Sequence, residues 1–256
     1  MLIFEKKEAI AYITLNRPDK YNSINKPLAM EIQKALDDCA SDKEVRCIVL
    51  SGEGKAFCAG QDLGEIVDPN GPPLDEIVEF HYNPIVMKIK EMPKPIVCAV
   101  NGVAAGAGAN IALACDIVLA TSSASFLQAF SKIGLIPDSG GTYTLPRLVG
   151  HARASALMML AEKVSAQDAQ DMGMIFKCVE DDVFQESVQA IAKKLANMPT
   201  VGLALTKKLL NESSKTNMKE QLALEHECQN IAGRTKDYME GVNAFLEKRK
   251  PKFIGE

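Results

Sequence analysis

The sequence contains no tryptophan, only three histidines and no Cys-x-x-Cys motif. None of the histidines stands at metal-ligand spacing from another candidate ligand, so we expect no zinc site. Basic residues are not in excess either, because 29 Lys and Arg face 33 Asp and Glu and the net charge is −4. A protein that binds bulk DNA or RNA through phosphate contacts needs a positive surface, and we therefore predict no nucleic-acid partner.

The seven cysteines are an odd number, and most of them stand within apolar runs. A disulfide framework usually shows an even number at regular spacings, so a reducing compartment suits this chain better. The first eight residues have neither the apolar core nor the cleavage pattern of a signal peptide. We therefore expect a cytoplasmic protein. The contents of 47% hydrophobic and 24% charged residues are typical of a globular domain.

The stretch Ala99–Asp116 lies at the end of a run without charged residues and is unusually poor in large side chains. An apolar strand leads into a turn around Gly106 and Gly108 and then into a helix. A membrane span is disfavoured, because Asn, Pro and Gly interrupt the run, and we expect no membrane partner. The dinucleotide motif G-x-G-x-x-G fails too, since Ile111 stands where the third glycine is required. Two interpretations stay open: close packing of the helix on a sheet, or a site where bare N–H groups bind negative charge.

Strand-like and helix-like segments alternate through the first 150 residues. Apolar patterns predict strands over 9–15, 45–50, 95–100 and 116–120. Helical spacing predicts helices from Lys26 onward and over 74–90. The pattern recurs roughly every 50 residues, which indicates repeated α/β units. After Gly150 the sequence is largely helical, and we place a boundary near residue 200.

A single aspartate, Asp138, lies in a turn between an Ile-Pro dipeptide and a Ser-Gly-Gly tripeptide. Because glycines follow it, the backbone there can adopt conformations that other residues avoid. From the residues alone, two roles stay open for its carboxylate. Asp138 is either the N-cap of a helix that begins near Gly140 or a functional group in a site.

Several short motifs occur in the order and spacing of one protein family. They are N-R-P at 16–18, F-C-A-G-Q-D-L at 57–63, P-K-P at 93–95 with A-V-N-G at 99–102, C-D-I at 115–117 and G-L-I-P-D-S-G-G at 134–141. With these motifs the sequence resembles the crotonase (enoyl-CoA hydratase/isomerase) superfamily over nearly its whole length. The resemblance implies an α/β fold with a spiral of repeated ββα units in residues 1–199 and a helical trimerisation region in residues 200–256. It also implies a homotrimer, or a hexamer built from two trimers.

The resemblance further implies a site for an acyl-CoA thioester, in which CoA is part of the substrate and no separate cofactor is needed. Members of the superfamily bind the thioester oxygen between two backbone N–H groups, and by motif position these are the groups of Gln61 and Ala107. This agrees with the small-residue helix start described above, which suits developing negative charge. The residues that the resemblance assigns to CoA or substrate binding are Lys20, Asn22, Ala59, Gln61, Asp62, Leu63, Gly106 and Ala107.

The acid–base residues indicate which reaction to expect. Hydratases of the superfamily carry two glutamates, and the equivalent positions here hold Asn110 and Phe130. Asp138 matches the position at which several isomerases of the superfamily place a single catalytic aspartate. One carboxylate suffices for isomerisation, because it can remove a proton next to the thioester and return one two carbons further along. We therefore predict an acyl-CoA isomerase in which Asp138 is catalytic.

Within the superfamily the sequence is most similar to isomerases of ring-1,2-epoxyphenylacetyl-CoA, which belong to aerobic phenylacetate catabolism. The similar segments are G-Q-D-L at 60–63, F-H-Y-N-P at 80–84, A-A-G-A-G-A at 104–109, A-F-S-K at 129–132 and A-G-R at 232–234. The predicted reaction is conversion of that epoxide to the oxepin-CoA, a shift of a 3-enoyl-CoA double bond to the 2-position, or both.

Three alternatives stay open at this point. The first is a hydratase-like enzyme, although both glutamates are replaced. The second is an aryl-CoA dehalogenase-like enzyme, whose relatives use a tryptophan that this sequence lacks. The third is a non-catalytic acyl-CoA-binding subunit. The acyl group itself depends on residues 65–90, whose placement the sequence does not reveal.

Overall fold

Two β-sheets form the centre of the computed structural model, which describes the whole chain, Met1–Glu256. In spatial order the larger sheet contains β1 (Leu2–Lys7), β2 (Ile10–Leu15), β3 (Cys47–Gly52), β5 (Ile96–Val100), β7 (Ile117–Thr121) and β10 (Lys177–Val179). The smaller sheet contains β4 (Ala56–Cys58), β6 (Val103–Ala105), β8 (Ser125–Leu127) and β9 (Lys163–Ser165). Neighbouring strands are parallel except in the β1–β2 and β8–β9 pairs.

Helices connect and cover these strands. They are α1 (Lys26–Ser41), α2 (Leu63–Ile66), α3 (Leu74–Glu76), α4 (Asn83–Glu91), α5 (Ala107–Ala114), α6 (Gly141–Val149), α7 (His151–Leu160), α8 (Ala166–Asp171), α9 (Phe184–Ala196), α10 (Thr200–Glu212), α11 (Met218–Ala232) and α12 (Lys236–Leu246). The predicted start of α1 is confirmed, because the Asn25 side chain accepts a hydrogen bond from the Leu28 N–H and Pro27 stands in the first turn.

From β3 to β8, consecutive strands alternate between the two sheets. β3 is followed by β4, β5 by β6 and β7 by β8, so each pair contributes one strand to each sheet before the chain turns helical. The predicted spiral of ββα units is thereby confirmed. The predicted recurrence every 50 residues or so holds from β3 to β5 but not from β5 to β7. β3 begins at Cys47, β5 at Ile96 and β7 at Ile117. The first unit is longer because it carries the helical segment between residues 63 and 91.

The helix predicted over 74–90 is interrupted by a π-helical turn, Ile77–Tyr82, between α3 and α4. Pro84 explains the interruption, since its ring nitrogen cannot donate a hydrogen bond to the carbonyl four residues earlier. That carbonyl, on Phe80, instead accepts a bond from Gln33 Nε2 at 2.8 Å. The preceding N–H, on Asn83, donates to Val78 five residues back. The wider turn buries two consecutive side chains, His81 and Tyr82.

The uncharged run divides into β5, β6 and α5, and every residue of β5 and α5 is buried. Small residues let α5 approach the sheets closely. A Cβ atom on Gly108 would lie 2.4 Å from the Cys58 carbonyl oxygen, so only glycine fits there. No helix of the chain is long and apolar enough to cross a lipid bilayer.

The three C-terminal helices, α10 to α12, pack against the spiral through a few polar contacts. Arg46 at the start of β3 donates hydrogen bonds to Met198 O at 2.7 Å, Thr200 Oγ1 at 2.9 Å and Phe253 O at 2.9 Å. Lys207 in α10 forms an ion pair with Asp116 at 2.8 Å. α10 begins at Thr200, where we drew the boundary, but the division into two parts stays a prediction.

Replacing Arg46 should loosen the C-terminal region. We expect Arg46→Ala to lower the free energy of unfolding by about 2 kcal/mol, because three acceptors lose a charged donor. Arg46→Lys should retain only part of the lost free energy of unfolding, since one ammonium cannot make the hydrogen bonds of the planar guanidinium. Urea unfolding measures both, and Lys193→Ala, which removes an exposed ion pair with Glu8, is the control. A control loss as large as that of Arg46→Ala would contradict this role.

Candidate active site

The turn before α5 presents a backbone N–H that the fold leaves free. Gly106 has φ +53° and ψ −127°, a conformation that residues with a Cβ avoid. Its own N–H donates to Leu127 O at 2.8 Å. The next N–H, of Ala107, is the first of the helix and has no acceptor among the turn, loop and cap hydrogen bonds. It therefore lies at the positive end of the α5 dipole with its hydrogen available.

A second free N–H, of Gln61, lies beside the first. Gly60 has φ +90°, and a Cβ on it would lie 2.9 Å from Ala105 O and 3.4 Å from the Ala107 nitrogen. The peptide units before Gln61 and before Ala107 are therefore neighbours. The Gln61 N–H has no acceptor among the loop hydrogen bonds, whereas its neighbours Gly60 O and Asp62 N both bond to Ile24. Two free donors in one place can bind an oxygen that carries negative charge.

Asp138 lies in a strained turn before α6. Ser139 has φ +49° and Gly140 has φ +73°, so two consecutive residues adopt left-handed conformations. The carboxylate is half-buried and accepts a hydrogen bond from Ser139 Oγ at 2.9 Å. Burial raises the pKa of the Asp138 carboxyl above its usual value, and the Ser139 hydroxyl lowers it in part. α6 has Gly140 as its N-cap and no side-chain cap, so the N-cap interpretation of Asp138 is wrong.

The two positions that hold glutamates in hydratases are occupied by groups that cannot transfer a proton as a carboxylate does. Asn110 is fully buried, and its amide donates to Asp138 O at 2.9 Å and accepts from Gln128 Nε2 at 2.8 Å. Phe130 is buried beside Gly106, 3.8 Å from where a Cβ on that glycine would lie. Asp138 is therefore the carboxylate on the turn that the Asn110 amide holds against α5.

The residues predicted to bind CoA differ in exposure and in their contacts. Lys20, Ala59 and Leu63 are exposed. Asp62 is half-buried, forms an ion pair with Arg17 at 2.7 Å and caps α2 through the Gly64 N–H. Arg17, which we did not predict as a site residue, therefore fixes the Asp62 carboxylate.

The prediction that Asn22 contacts CoA is corrected by the structure. Asn22 is 0% exposed, so it offers no surface to a ligand. Its Nδ2 donates to Glu53 O and Ala56 O, and its Oδ1 accepts the Arg17 N–H. The side chain thus braces the loops that carry the site instead of meeting the substrate. A buried amide with every partner inside the protein cannot be recognised from the motif alone.

The large apolar side chains that precede Asp138 in the sequence differ in burial. Phe130 is buried, whereas Ile133, Leu135 and Ile136 are exposed. On the other side, Phe80 is exposed and Tyr82 is buried with its hydroxyl donating to Gln61 Oε1. A surface cavity of about 320 Å³, lined by residues between 153 and 172, lies elsewhere and includes none of these residues.

Comparisons with known proteins identify the family of this chain. The sequence profile described as Enoyl-CoA hydratase/isomerase matches residues 5–256. The chain belongs to this family. No cluster of three His, Cys, Asp or Glu side chains that could hold a metal ion accompanies the site.

Relatives within the family carry names from two reaction types. A 1,2-epoxyphenylacetyl-CoA isomerase of Escherichia coli strain K12 is 47% identical over 98% of this chain and 97% of that protein. A Rhodobacter capsulatus protein named "Probable enoyl-CoA hydratase" is 45% identical over 98% of this chain and 97% of its own length. The crystal structure of an enoyl-CoA hydratase from Bacillus anthracis superposes with a TM-score of 0.92 at 31% identity, covering 100% of this chain and 99% of that one.

The raised pKa of Asp138 predicts a stability effect. An ionised carboxylate that burial disfavours lowers folded-state stability once the pH rises through its folded-state pKa. We therefore expect Asp138→Asn to have a higher Tm than the wild type at pH 7. The difference should shrink toward pH 4, where the wild-type carboxyl is increasingly protonated.

Thermal unfolding of both proteins between pH 4 and pH 8 tests this expectation. Asp182→Asn, at an exposed carboxylate far along the sequence, is the matched control and should leave the Tm nearly unchanged. If Asp138→Asn unfolds at the same temperature as the wild type at every pH, burial does not strain this carboxylate.

Proposed function

We propose that this enzyme is an acyl-CoA isomerase of aerobic phenylacetate catabolism. Its substrate is ring-1,2-epoxyphenylacetyl-CoA, which it converts to the oxepin-CoA, or a 3-enoyl-CoA, whose double bond it moves to the 2-position, or both. The observation that supports this proposal most is the combination of two free backbone donors, Gln61 and Ala107, with one half-buried carboxylate, Asp138. The relative at 47% identity that is named for this epoxide isomerisation supports the same substrate.

The first chemical step is removal of a proton from the carbon next to the thioester. A carboxyl with pKa ~4 and a thioester α-proton with pKa ~20 differ by ~16 units, or roughly 22 kcal/mol, so an unaided aspartate cannot perform it. Two oxyanion donors at roughly 3–4 kcal/mol each stabilise the enolate oxygen. Burial strengthens Asp138 as a base, and fixed proximity of the reacting groups lowers the barrier further.

The second step returns a proton to another carbon of the same molecule, so the reaction consumes no water. Asp138 carries the proton between the two positions in the enoyl shift, and the N–H groups of Gln61 and Ala107 hold the negative oxygen meanwhile. A hydratase also needs a carboxylate that activates water. Asn110 and Phe130 occupy the corresponding positions, which is why we favour isomerisation over hydration.

The CoA moiety is assigned to the exposed side chains near the two loops, Lys20, Ala59 and Leu63, with Asp62 fixed beside them by Arg17. Gly106 and Ala107 receive the thioester end. No separate cofactor is required, because the proton and electrons all stay within the substrate. We also propose a cytoplasmic location, which seven free thiols support.

Replacing the base tests the reaction. We expect Asp138→Asn to lower kcat for isomerisation by about 10³-fold, because the amide cannot accept the proton, while KM changes little. kcat/KM of the wild type should rise with pH through the raised pKa of Asp138 and then level off, since the ionised form is the base. Mass spectrometry and ultraviolet absorbance follow conversion of the epoxide and of a 3-enoyl-CoA.

The same assay distinguishes the other candidates. Asp182→Asn is the control and should keep full activity. Water addition to a 2-enoyl-CoA faster than either isomerisation would favour a hydratase, and halide release from a chlorobenzoyl-CoA would favour a dehalogenase. Binding of CoA thioesters without any turnover would make the protein a binding subunit. Near-full isomerisation by Asp138→Asn would overturn the assigned base.

We further propose a homotrimer, or a dimer of trimers, held by the C-terminal helices. α12 leaves Phe245 83% and Leu246 72% exposed, and Met218 at the start of α11 is 75% exposed. Phe245 and Leu246 are adjacent, and exposed apolar side chains that form a patch mark interaction sites. Analytical ultracentrifugation should give three or six chains per particle, and Phe245→Asp should shift the protein toward smaller species. A monomer at micromolar concentration would contradict this assembly.

A further inference from the structure

Gln61 is fixed by its side chain as well as by its backbone. On the backbone, Gly60 O accepts the Ile24 N–H at 2.7 Å, and the Asp62 N–H donates to Ile24 O at 2.9 Å. On the side chain, the Tyr82 hydroxyl donates to Oε1, and Nε2 donates to Glu65 Oε2 at 2.8 Å. Both ends of the amide are therefore occupied, and the side chain cannot turn without breaking two hydrogen bonds.

Glu65 connects this amide to a second part of the fold. Its other oxygen, Oε1, accepts the backbone N–H of Lys26 at 2.8 Å, at the first residue of α1. A carboxylate suits this position, because it accepts hydrogen bonds at both oxygens and lies at the positive end of the α1 dipole. The Gln61 side chain is thus tied, through one carboxylate, to the beginning of a long helix.

Tyr82 provides the third support, and its position depends on the π-helical turn. The wider turn places Tyr82 inside the protein, where it is 1% exposed, next to the equally buried His81. A packed aromatic ring fixes the direction of its hydroxyl. Burial also raises the pKa of Tyr82 well above its usual value, so the phenol keeps the proton that it donates to Gln61.

These contacts compensate for a flexibility that the site itself requires. Gly60 must be glycine, because its φ of +90° and its approach to Ala105 exclude a Cβ. Glycine places no side-chain limit on rotation of the following peptide unit, which carries the Gln61 N–H and is held on its carbonyl side by one hydrogen bond from Ile24. An oxyanion donor that rotates away from the oxygen loses its stabilising effect.

We propose that Tyr82 and Glu65 are positioning residues, which hold the Gln61 side chain so that its backbone N–H stays directed at the thioester oxygen. The inference rests on the proposed function, in which that N–H stabilises the enolate. Neither residue touches the reacting atoms. Their effect must therefore pass through Gln61, and this dependence can be measured.

Tyr82→Phe removes one hydroxyl and keeps the ring. We expect kcat for isomerisation to fall about tenfold while KM changes less than about twofold, because donor alignment matters most in the transition state. Glu65→Ala, at a half-buried site that tolerates truncation, should give a similar fall, and Glu65→Gln should recover part of it. Tyr12→Phe, which removes a hydroxyl on β2, is the matched control and should keep full activity.

A double-mutant cycle shows whether the effect passes through Gln61. Gln61→Leu removes the amide but keeps the backbone N–H, so we expect it to lower kcat as much as Tyr82→Phe does. In that background Tyr82→Phe should have no further effect. Additive losses, or a Tyr82→Phe effect confined to KM, would overturn the proposal.

The infrared stretch of a ¹³C-labelled thioester carbonyl in bound phenylacetyl-CoA gives a readout that needs no turnover. Hydrogen bonds from the two N–H groups should lower this frequency in the wild type, and Tyr82→Phe and Glu65→Ala should move it back toward the free value. If the wild type shows the shift but isomerises no substrate, the proposed function fails and the positioning role stands. If the wild type isomerises while the stretch is the same in all variants, the positioning role fails alone.

Discussion

Two backbone N–H groups can bind one oxygen atom only if their peptide units meet with no side chain between them. In this fold the meeting follows from strand pairing. β4 and β6 are parallel neighbours in the smaller sheet, so the residues after them leave the same edge of that sheet side by side. Those residues are 59–61 and 106–107, which carry the two free donors. Glycine at 60, 106 and 108 then permits a contact that any Cβ would obstruct or strain.

The site stores strain that the surrounding contacts must balance. Ser139 adopts a left-handed conformation, burial raises the pKa of the Asp138 carboxyl, and Gly60 has no Cβ to restrict a peptide unit whose direction must be fixed. Each has a nearby support: the main-chain bonds of Asp138 O, the Ser139 hydroxyl, and the amide of Gln61 held from two sides. The direction of the Gln61 N–H therefore depends on helix α1 and on the π-helical turn Ile77–Tyr82, which lie outside the motif that carries the N–H group.

The apolar patterns predict β2, β3, β5 and β7, because long buried strands and glycine turns leave local signals, whereas the three-residue strands of the smaller sheet leave none. The spiral itself was implied by the family resemblance. The sequence also predicts which segments meet, since the motifs at 57–63, 99–116 and 134–141 do surround one place in the structure. Contacts between residues that lie far apart in the sequence could not be predicted from it. The π-helical turn requires knowing that Pro84 frees the Phe80 carbonyl, and the burial of Asn22 requires knowing three loops at once. Arg17 and Tyr82 acquire their roles only through Asp62 and Gln61.

Asn110 stands at a position where we expect a glutamate in hydratases, and its amide holds the turn that carries Asp138. In a hydratase this position carries a glutamate, whereas here the amide donates to the backbone carbonyl of Asp138 and is itself held by Gln128. A carboxylate in place of the Asn110 amide would set an oxygen against that carbonyl. The turn that presents Asp138 would then lose a bond and gain a repulsion. The aspartate at 138 and the asparagine at 110 therefore belong to one arrangement, in which the amide that holds the turn of the proposed base also occupies the place of a second carboxyl group.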